Sequence, residues 1–140
     1  MLSTTIRTRN FDTETIIKTI QTSAAPAAIG PYSQAIVIDR LVFCSGQIPL
    51  TPEGTVAGTD IESQAEQVFR NIRAILKEAG AGLEHVVKAT VFVKDLNDFG
   101  RLNAVYERNF GAHKPARSTV EVSRLPRDVL VEIEVIGRLP

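Results

Sequence analysis

Apolar residues recur at the three-and-four spacing of an amphipathic α-helix in two segments of the chain. The longer segment covers residues 60–79, with Thr59 and Glu62 as a capping box at its start and Gly80 just after its end. The shorter one covers residues 96–109. The pattern therefore predicts one long and one short helix, each burying a single stripe.

Six short runs rich in β-branched residues predict strands, each bounded by turn-forming residues. They lie at residues 15–19, 33–38, 41–44, 86–93, 118–122 and 130–136. The gap at Asp39-Arg40 predicts a tight hairpin. The order β-β-β-α-β-α-β-β predicts an α+β domain. Two helices cannot cover both faces of six strands, so we expect them to share one face and the bare face to bind other copies.

The length of 140 residues fits one domain, and 44% apolar and 23% charged residues are ordinary for a folded protein. We expect this domain over residues 16–140, after an N-terminal tail over residues 1–15. Arg7 and Arg9 stand in that tail among serine and threonine, as in a mitochondrial targeting segment, although Asp12 and Glu14 interrupt this acid-free pattern. The alternative is an unstructured terminal tail.

Charge and cysteine content narrow the classes of function. Basic and acidic residues both number 16, so no net field favours nucleic acid or an anionic membrane. One cysteine and two distant histidines offer no disulfide and no familiar metal-ligand spacing. No apolar run reaches the roughly 20 residues of a membrane span. These features predict a metal-free protein of a reducing compartment, the cytoplasm or alternatively the mitochondrial matrix.

Arg117 is the first candidate for chemistry, because the usual glycine-loop, Gly-x-Ser-x-Gly, His-Glu-x-x-His and Cys-x-x-Cys motifs are absent. Strand periodicity sends Arg117 and Thr119 to one face and Ser118 to the other. A guanidinium grips a carboxylate with two parallel hydrogen bonds. The pattern equally allows a surface guanidinium paired with Glu121.

Glu132 stands among apolar residues of a predicted strand, where a carboxylate is costly to bury unless it is paired or its pKa is raised. It is either a base or an edge-strand charge. Tyr32 is a proton donor or a core ring, Cys44 a nucleophile or a small apolar residue, and Asn103 a ligand contact or a chance surface residue.

Four motifs occur in one order along the chain and together resemble a known family. They are Gly30-Pro31-Tyr32-Ser33-Gln34-Ala35, Ser45-Gly46-Gln47-Ile48-Pro49, Val91-Phe92-Val93-Lys94-Asp95-Leu96 and Pro115-Ala116-Arg117-Ser118. The chain closely resembles the RidA family, reactive-intermediate deaminases formerly called YjgF, over about residues 17–138.

The resemblance implies a chorismate-mutase-like α+β fold of the bacillary type, with a mixed sheet, in a homotrimeric barrel with sites between subunits. It implies hydrolysis of 2-iminobutanoate and 2-iminopropanoate to 2-oxo acids and ammonia, without a cofactor. By resemblance, Arg117 binds the substrate carboxylate and Glu132 positions water. Tyr32, Ser45, Gly46 and Asn103 then line the pocket, and Thr119 contributes its backbone where many members have cysteine.

Two other functions remain open at this stage. The family's older names record a ribonuclease or translation inhibitor, against which the zero net charge and scarcity of aromatic residues argue. A non-catalytic binder or chaperone of small acids would use the same clefts. Mutation of Glu132 separates a binder from an enzyme.

Overall fold

The computed structural model describes the backbone of residues 5–10 and 13–140, and side chains from residue 16 onward. It contains seven strands and two α-helices, with short 3₁₀ turns between them. In chain order they are β1 (Thr5–Asn10), β2 (Thr13–Ile20), β3 (Ala35–Ile38), β4 (Leu41–Gln47), α1 (Ile61–Ala79), β5 (Val86–Val93), α2 (Phe99–Phe110), β6 (Ala116–Glu121) and β7 (Val131–Arg138).

All seven strands join one mixed sheet in the order β1-β2-β3-β4-β7-β5-β6. Every neighbouring pair is antiparallel except β5 and β6, which α2 connects in parallel. The predicted α+β architecture, with two helices and six strands in the expected order, is confirmed. Asp39 adopts a positive φ of 53° in the β3–β4 turn, and aspartate tolerates this conformation better than most residues.

The strand β1 lies in the segment predicted as a tail, where Thr5–Asn10 pairs with β2. Its sequence, TIRTRN, has only one strongly apolar residue and therefore no alternation that would predict a strand. Pairing at a sheet edge depends on backbone hydrogen bonds, which composition does not report. The targeting role and the domain boundary stay predictions.

The two helices begin and end close to their predicted positions, but their caps differ. The cap of α1 is Asp60, whose carboxylate accepts from the Ser63 backbone N–H at 2.7 Å, so the predicted Thr59–Glu62 capping box is wrong. Glu62 instead pairs with Arg101 on α2. Gly80 ends α1 in the left-handed conformation (φ 89°), as predicted.

The main core lies between the sheet and the helices. The inward side chains of β4, β5 and β7 pack with α1 and α2 in one buried cluster. The side of the sheet away from the helices, here called the open face, includes Leu41, Phe43 and Val120, which are 39%, 41% and 42% exposed. An apolar, uncovered face was predicted from the number of elements. The homotrimer inferred from it stays a prediction.

Candidate active site

Arg117 lies on β6 on the side of the sheet that carries the helices. Its partner on β5 is Ala89, which is fully buried. The guanidinium Nη1 donates to Asn103 Oδ1 on α2 at 2.8 Å. The predicted alternative, a pair with Glu121, does not occur, because Glu121 Oε1 accepts from the Leu96 backbone N–H at 3.1 Å. Among the side chains described, no carboxylate forms an ion pair with Arg117.

Three side chains of α2 hold this guanidinium, and we call Phe99, Asn103 and Tyr106 the arginine cradle. They are spaced i, i+4, i+7 and so share one helix face. The Arg117 Cζ atom lies 4.6 Å from the centroid of the Tyr106 ring and 5.4 Å from that of Phe99. A planar guanidinium stacks on aromatic faces, whereas an ammonium cannot match that shape. The cradle therefore fixes the orientation of Arg117 before any ligand binds.

A cleft of about 430 Å³ opens beside Arg117, and we call it the Arg117 cleft. Its polar lining includes Asn103, Tyr106, Glu107, His113, Lys114 and Arg117. Two permanent cations face one carboxylate there, so the cleft favours an anion. Burial raises the pKa of Tyr106, opposed by the charge of Arg117.

Thr119 follows Arg117 by two residues and shares its side of β6. Its Oγ1 and the hydroxyl of Tyr106 are buried and have no hydrogen-bond partner among the described residues. A buried polar group without a partner is unfavourable, so these two hydroxyls add no stability to the described part of the chain. The predicted side of the strand is therefore correct for Thr119, and its part in substrate binding stays a prediction.

Glu132 lies on β7 and points to the opposite side of the sheet. Its partner on β5 is Phe92, whereas the partner of Arg117 on β5 is Ala89. Phe92 and Ala89 are three residues apart, and residues an odd number apart along a strand point to opposite faces. Burial raises the pKa of Glu132, and the nearby charge of Glu134 raises it further. A half-buried carboxyl with a raised pKa is a better proton acceptor than an exposed one.

Gly46 lets the backbone of β4 approach the Glu132 carboxylate closely. An added Cβ at Gly46 would lie 2.6 Å from Glu132 Oε2 and 2.9 Å from Cδ, well inside contact distance. The register of β4 against β7 shifts here, between Cys44 and Gln47. A glycine in this bulge therefore makes room for the carboxylate.

The cleft around Glu132 has a volume of about 440 Å³, and we call it the Glu132 cleft. It also contains Tyr32, Ser45 and Gly46, so four predicted site residues meet there. Tyr32 is 52% exposed, which excludes the core-ring alternative, and its hydroxyl accepts a 3.5 Å contact from the Ile29 backbone N–H. Ser45 Oγ donates to the Ser33 carbonyl at 2.6 Å, so this hydroxyl can still accept a hydrogen bond.

The structure thus divides the predicted site into two halves within one chain. Tyr32, Ser45, Gly46 and Glu132 line the Glu132 cleft, while Arg117 and Asn103 line the Arg117 cleft. The residues of both sets were predicted from the sequence. The structure brings the members of each set together, but it places the two sets in separate clefts. Their catalytic and binding roles stay predictions.

Sequence reasoning missed several residues of these clefts. Phe99 and Tyr106 belong to the apolar stripe of the shorter predicted helix, and the spacing of that stripe does not reveal their contact with Arg117. Gln34, 3% exposed, bonds to backbone groups of Thr22 and Pro26 and so supports the segment that ends at Tyr32. Gln34 stands in the first of the four sequence motifs, and that motif was the only sign of its importance in the sequence.

Cys44 is buried at 5% exposure, on the helix side of β4. Burial raises the pKa of its thiol to about 12, assisted by Glu134. A thiol with so high a pKa is protonated at neutral pH and is a poor nucleophile. Cys44 is therefore the small apolar residue that the sequence allowed.

Comparison with known families adds an independent line of evidence. The sequence profile of the family described as Endoribonuclease L-PSP matches residues 22–139. A RutC family protein of Pyrococcus abyssi is 56% identical over 119 residues, covering 84% of this chain and 94% of that protein. The chain belongs to the RidA, or endoribonuclease L-PSP, family. The assignment made from the four sequence motifs is confirmed.

Other RidA family members with more specific names are also similar. The 2-iminobutanoate/2-iminopropanoate deaminase of Escherichia coli strain K12 is 51% identical over 123 residues, covering 86% of this chain and 96% of that one. The crystal structure of yeast Mmf1 matches with a TM-score of 0.87 at 42% identity, over 89% of this chain and 99% of that chain. The YjgF gene product of E. coli matches with a TM-score of 0.83 at 51% identity, over 86% and 98%. These structural matches confirm the predicted chorismate-mutase-like fold.

The described residues also bear on membrane insertion and metal binding. No helix in that part of the chain has the length and apolar character needed to cross a bilayer. The same residues include no group of three or more histidine, cysteine, aspartate or glutamate side chains placed to hold a metal ion.

Proposed function

We propose that this protein hydrolyses 2-imino acids, with 2-iminobutanoate and 2-iminopropanoate as substrates, to 2-oxo acids and ammonia. One observation carries the proposal: the Arg117 guanidinium is fixed by the arginine cradle, has no carboxylate partner among the described side chains and faces a cleft that favours anions. Relatives named as deaminases of these two imines are 51–52% identical. Their name supplies the substrate, and the cradle supplies the means to hold its carboxylate.

The chemistry asks little of the protein. Arg117 anchors the carboxylate, and the Glu132 carboxylate accepts a proton from water as its oxygen bonds to the imine carbon. Glu132 passes that proton to nitrogen, which gives a carbinolamine. Glu132 then accepts the hydroxyl proton and delivers it to the same nitrogen, so that the carbon–nitrogen bond breaks and ammonia leaves as the carbonyl forms. No electrons are transferred and no cofactor is consumed. Each tenfold acceleration requires only about 1.4 kcal/mol of barrier reduction.

The two halves of the site belong, in this proposal, to neighbouring copies of the chain. Arg117 and Glu132 point to opposite faces of one sheet, so a single chain offers the substrate either the anchor or the base. The open face carries exposed Leu41, Phe43 and Val120, an apolar surface that association of copies would bury. A homotrimer would join the Arg117 cleft of one copy to the Glu132 cleft of the next.

The decisive experiment is an assay with a threonine dehydratase, which releases 2-iminobutanoate, in the presence of an imine trap. Adding the protein should increase the yield of 2-oxobutanoate and ammonia at the expense of the trapped imine. The dehydratase alone and the dehydratase with Arg117→Ala are the controls. An unchanged yield with folded wild-type protein would contradict the deaminase proposal and favour a non-catalytic binder of small acids.

A further inference from the structure

Arg127 lies on the rim of the Glu132 cleft in a backbone conformation that arginine rarely adopts. Its φ and ψ are 57° and 22°, and the next residue, Asp128, has φ 55°. Two consecutive non-glycine residues in the left-handed region are unusual and need support from their surroundings. Buried Leu125 and Val129 anchor the loop on either side, and Asp128 accepts from Arg124 Nε at 2.8 Å. The loop therefore holds Arg127 at the rim.

The side chain of Arg127 reaches across the rim to another loop. Its Nη1 donates to the Gly54 carbonyl at 2.7 Å, in the turn where the Gly54 N–H donates to the Thr51 carbonyl. Among the described residues, the guanidinium has no other hydrogen-bond partner, and Nε and Nη2 stay free. These two nitrogens form one edge of the fork that binds carboxylates. The tether fixes the cation without using that edge.

The Glu132 cleft otherwise presents negative charge. Glu132 and Glu134 both line it, and Arg127 is the one cationic side chain among its described lining residues. A 2-imino acid enters as an anion, and two carboxylates in a partly enclosed cleft repel it. A fixed cation at the rim offsets that repulsion without neutralising the carboxylate that serves as base.

We propose that Arg127 is a specificity-determining residue, which admits carboxylate anions to the Glu132 cleft by balancing Glu132 and Glu134. This inference rests on the proposed function for its substrate. It assigns separate tasks to two arginines: Arg117 holds the carboxylate in the reactive position, and Arg127 lowers the electrostatic cost of bringing it there. Its effect is therefore on binding and depends on salt.

The test compares Arg127→Gln, Arg127→Lys and the wild type at about 0.01 M and about 1 M salt, where the Debye length is about 30 Å and about 3 Å. Two quantities are measured: KM and kcat for 2-iminobutanoate, and the Kd of 2-oxobutanoate, a stable acid whose binding does not require turnover. At low salt, Arg127→Gln should raise KM and Kd by roughly threefold to tenfold with little change in kcat, and at high salt the difference should vanish. Arg127→Lys should retain most of the low-salt binding.

Lys77→Gln is the matched control, because it removes one positive charge at the end of α1, outside both cleft linings and away from the loop that holds Arg127. An equal loss of binding in Lys77→Gln would mean that net charge, not the position of Arg127, matters. A loss that is equal at both salt concentrations would indicate a structural role for the loop, and no loss at either would remove the role altogether. If the wild type binds 2-oxobutanoate in a salt-dependent, Arg127-dependent manner without turnover, the proposed reaction fails while this inference stands.

Discussion

At the scale of single residues, Arg117 tests whether the site needs a positive charge or a particular shape. Arg117→Lys keeps the charge, but a lysine ammonium cannot stack in the cradle or offer a bidentate fork. We expect a loss of about 1.5–3 kcal/mol in transition-state binding, at least tenfold in kcat/KM for 2-iminobutanoate. Arg117→Ala should abolish measurable turnover. Equal kcat/KM for wild type and Arg117→Lys would show that the carboxylate is held elsewhere.

Glu132 leads to a prediction about pH. Its pKa is raised by burial and by Glu134, so kcat/KM should rise with pH as this carboxyl ionises, above the ordinary glutamate value of 4.5. Glu132→Gln should lower turnover while preserving the fold and the binding of 2-oxobutanoate, and the pH profile should lose this acidic limb. An unchanged limb in the variant would assign it to another group.

The same pKa shift affects stability with a definite sign. A carboxyl whose pKa is raised in the folded state binds its proton more tightly there than in the unfolded chain. Its stabilising contribution is thus present at low pH and is lost as pH rises through the raised pKa. Glu132→Gln cannot ionise, so its free energy of unfolding should fall less than that of the wild type over this window. At neutral pH the ionised Glu132 therefore lowers the stability of the fold, which agrees with its proposed catalytic role.

Gly46 allows the position of Glu132 to be tested without altering its charge. In Gly46→Ala the new methyl group would lie 2.6 Å from Glu132 Oε2, so the carboxylate must move. Because Gly46 does not have a positive φ, the backbone should accept alanine, and we expect a lower kcat with the fold retained. Gly100→Ala is the control, since nothing lies within 4 Å of its added methyl group. An unchanged kcat in Gly46→Ala would mean that the carboxylate need not be where the structure has it.

At the scale of elements, α2 is the helix that orients the Arg117 guanidinium for its proposed binding role. Phe99→Leu and Tyr106→Leu each remove one ring from the guanidinium, and a cation–π contact is worth about 0.5–1 kcal/mol at an exposed site. Expressed as a change in binding, this free energy corresponds to a rise in KM of roughly twofold to fivefold in each variant. Tyr106→Phe should restore the wild-type KM, because it keeps the ring and loses only a hydroxyl without a partner among the described residues.

These variants also separate positioning from stability. Tyr106 packs against Phe69 and Phe110, with ring centroids 5.8 Å and 4.7 Å away, so Tyr106→Leu should lower the melting temperature. Phe99 is 38% exposed and should be replaceable with little loss of stability. If KM rises in Tyr106→Leu but not in Phe99→Leu, the rise comes from damage to the core and not from loss of the cradle.

The elements also show which parts of the fold the sequence could predict. Helices α1 and α2 were predictable because their apolar residues repeat at the helical period. Strands β2 to β7 were predictable because each is rich in β-branched residues and lies between turn-forming residues. The strand β1 was not, since its residues carry no apolar alternation. The cradle was not either: periodicity places Phe99, Asn103 and Tyr106 on one face of α2 but does not say that β6 delivers Arg117 to that face. Arg127 lies in a turn whose strained backbone has no sequence pattern.

At the scale of the whole molecule, the separation of Arg117 from Glu132 makes the proposed shared site directly testable. In a mixture of Arg117→Ala and Glu132→Gln chains, no chain carries both residues. If one site takes Arg117 from one copy and Glu132 from its neighbour, random assembly of trimers from equal amounts should give about a quarter of sites with both wild-type residues. If both residues came from the same copy, no such site would exist.

Co-expression of the two variants, with different affinity tags and purification through both, yields the mixed assembly, and light scattering gives its mass. We expect a trimer, and we expect activity well above that of either variant alone, about a third of the wild type, because purification through both tags removes the inactive homotrimers and each mixed trimer has one complete site of three. Copies carrying both substitutions in one chain, mixed with wild type, control for the effect of assembly itself. A monomer in solution, or mixed trimers no more active than the single variants, would rule out the shared site. Catalysis would then require that a single chain bring Arg117 and Glu132 to the same side of the sheet, although the strand register holds them on opposite sides.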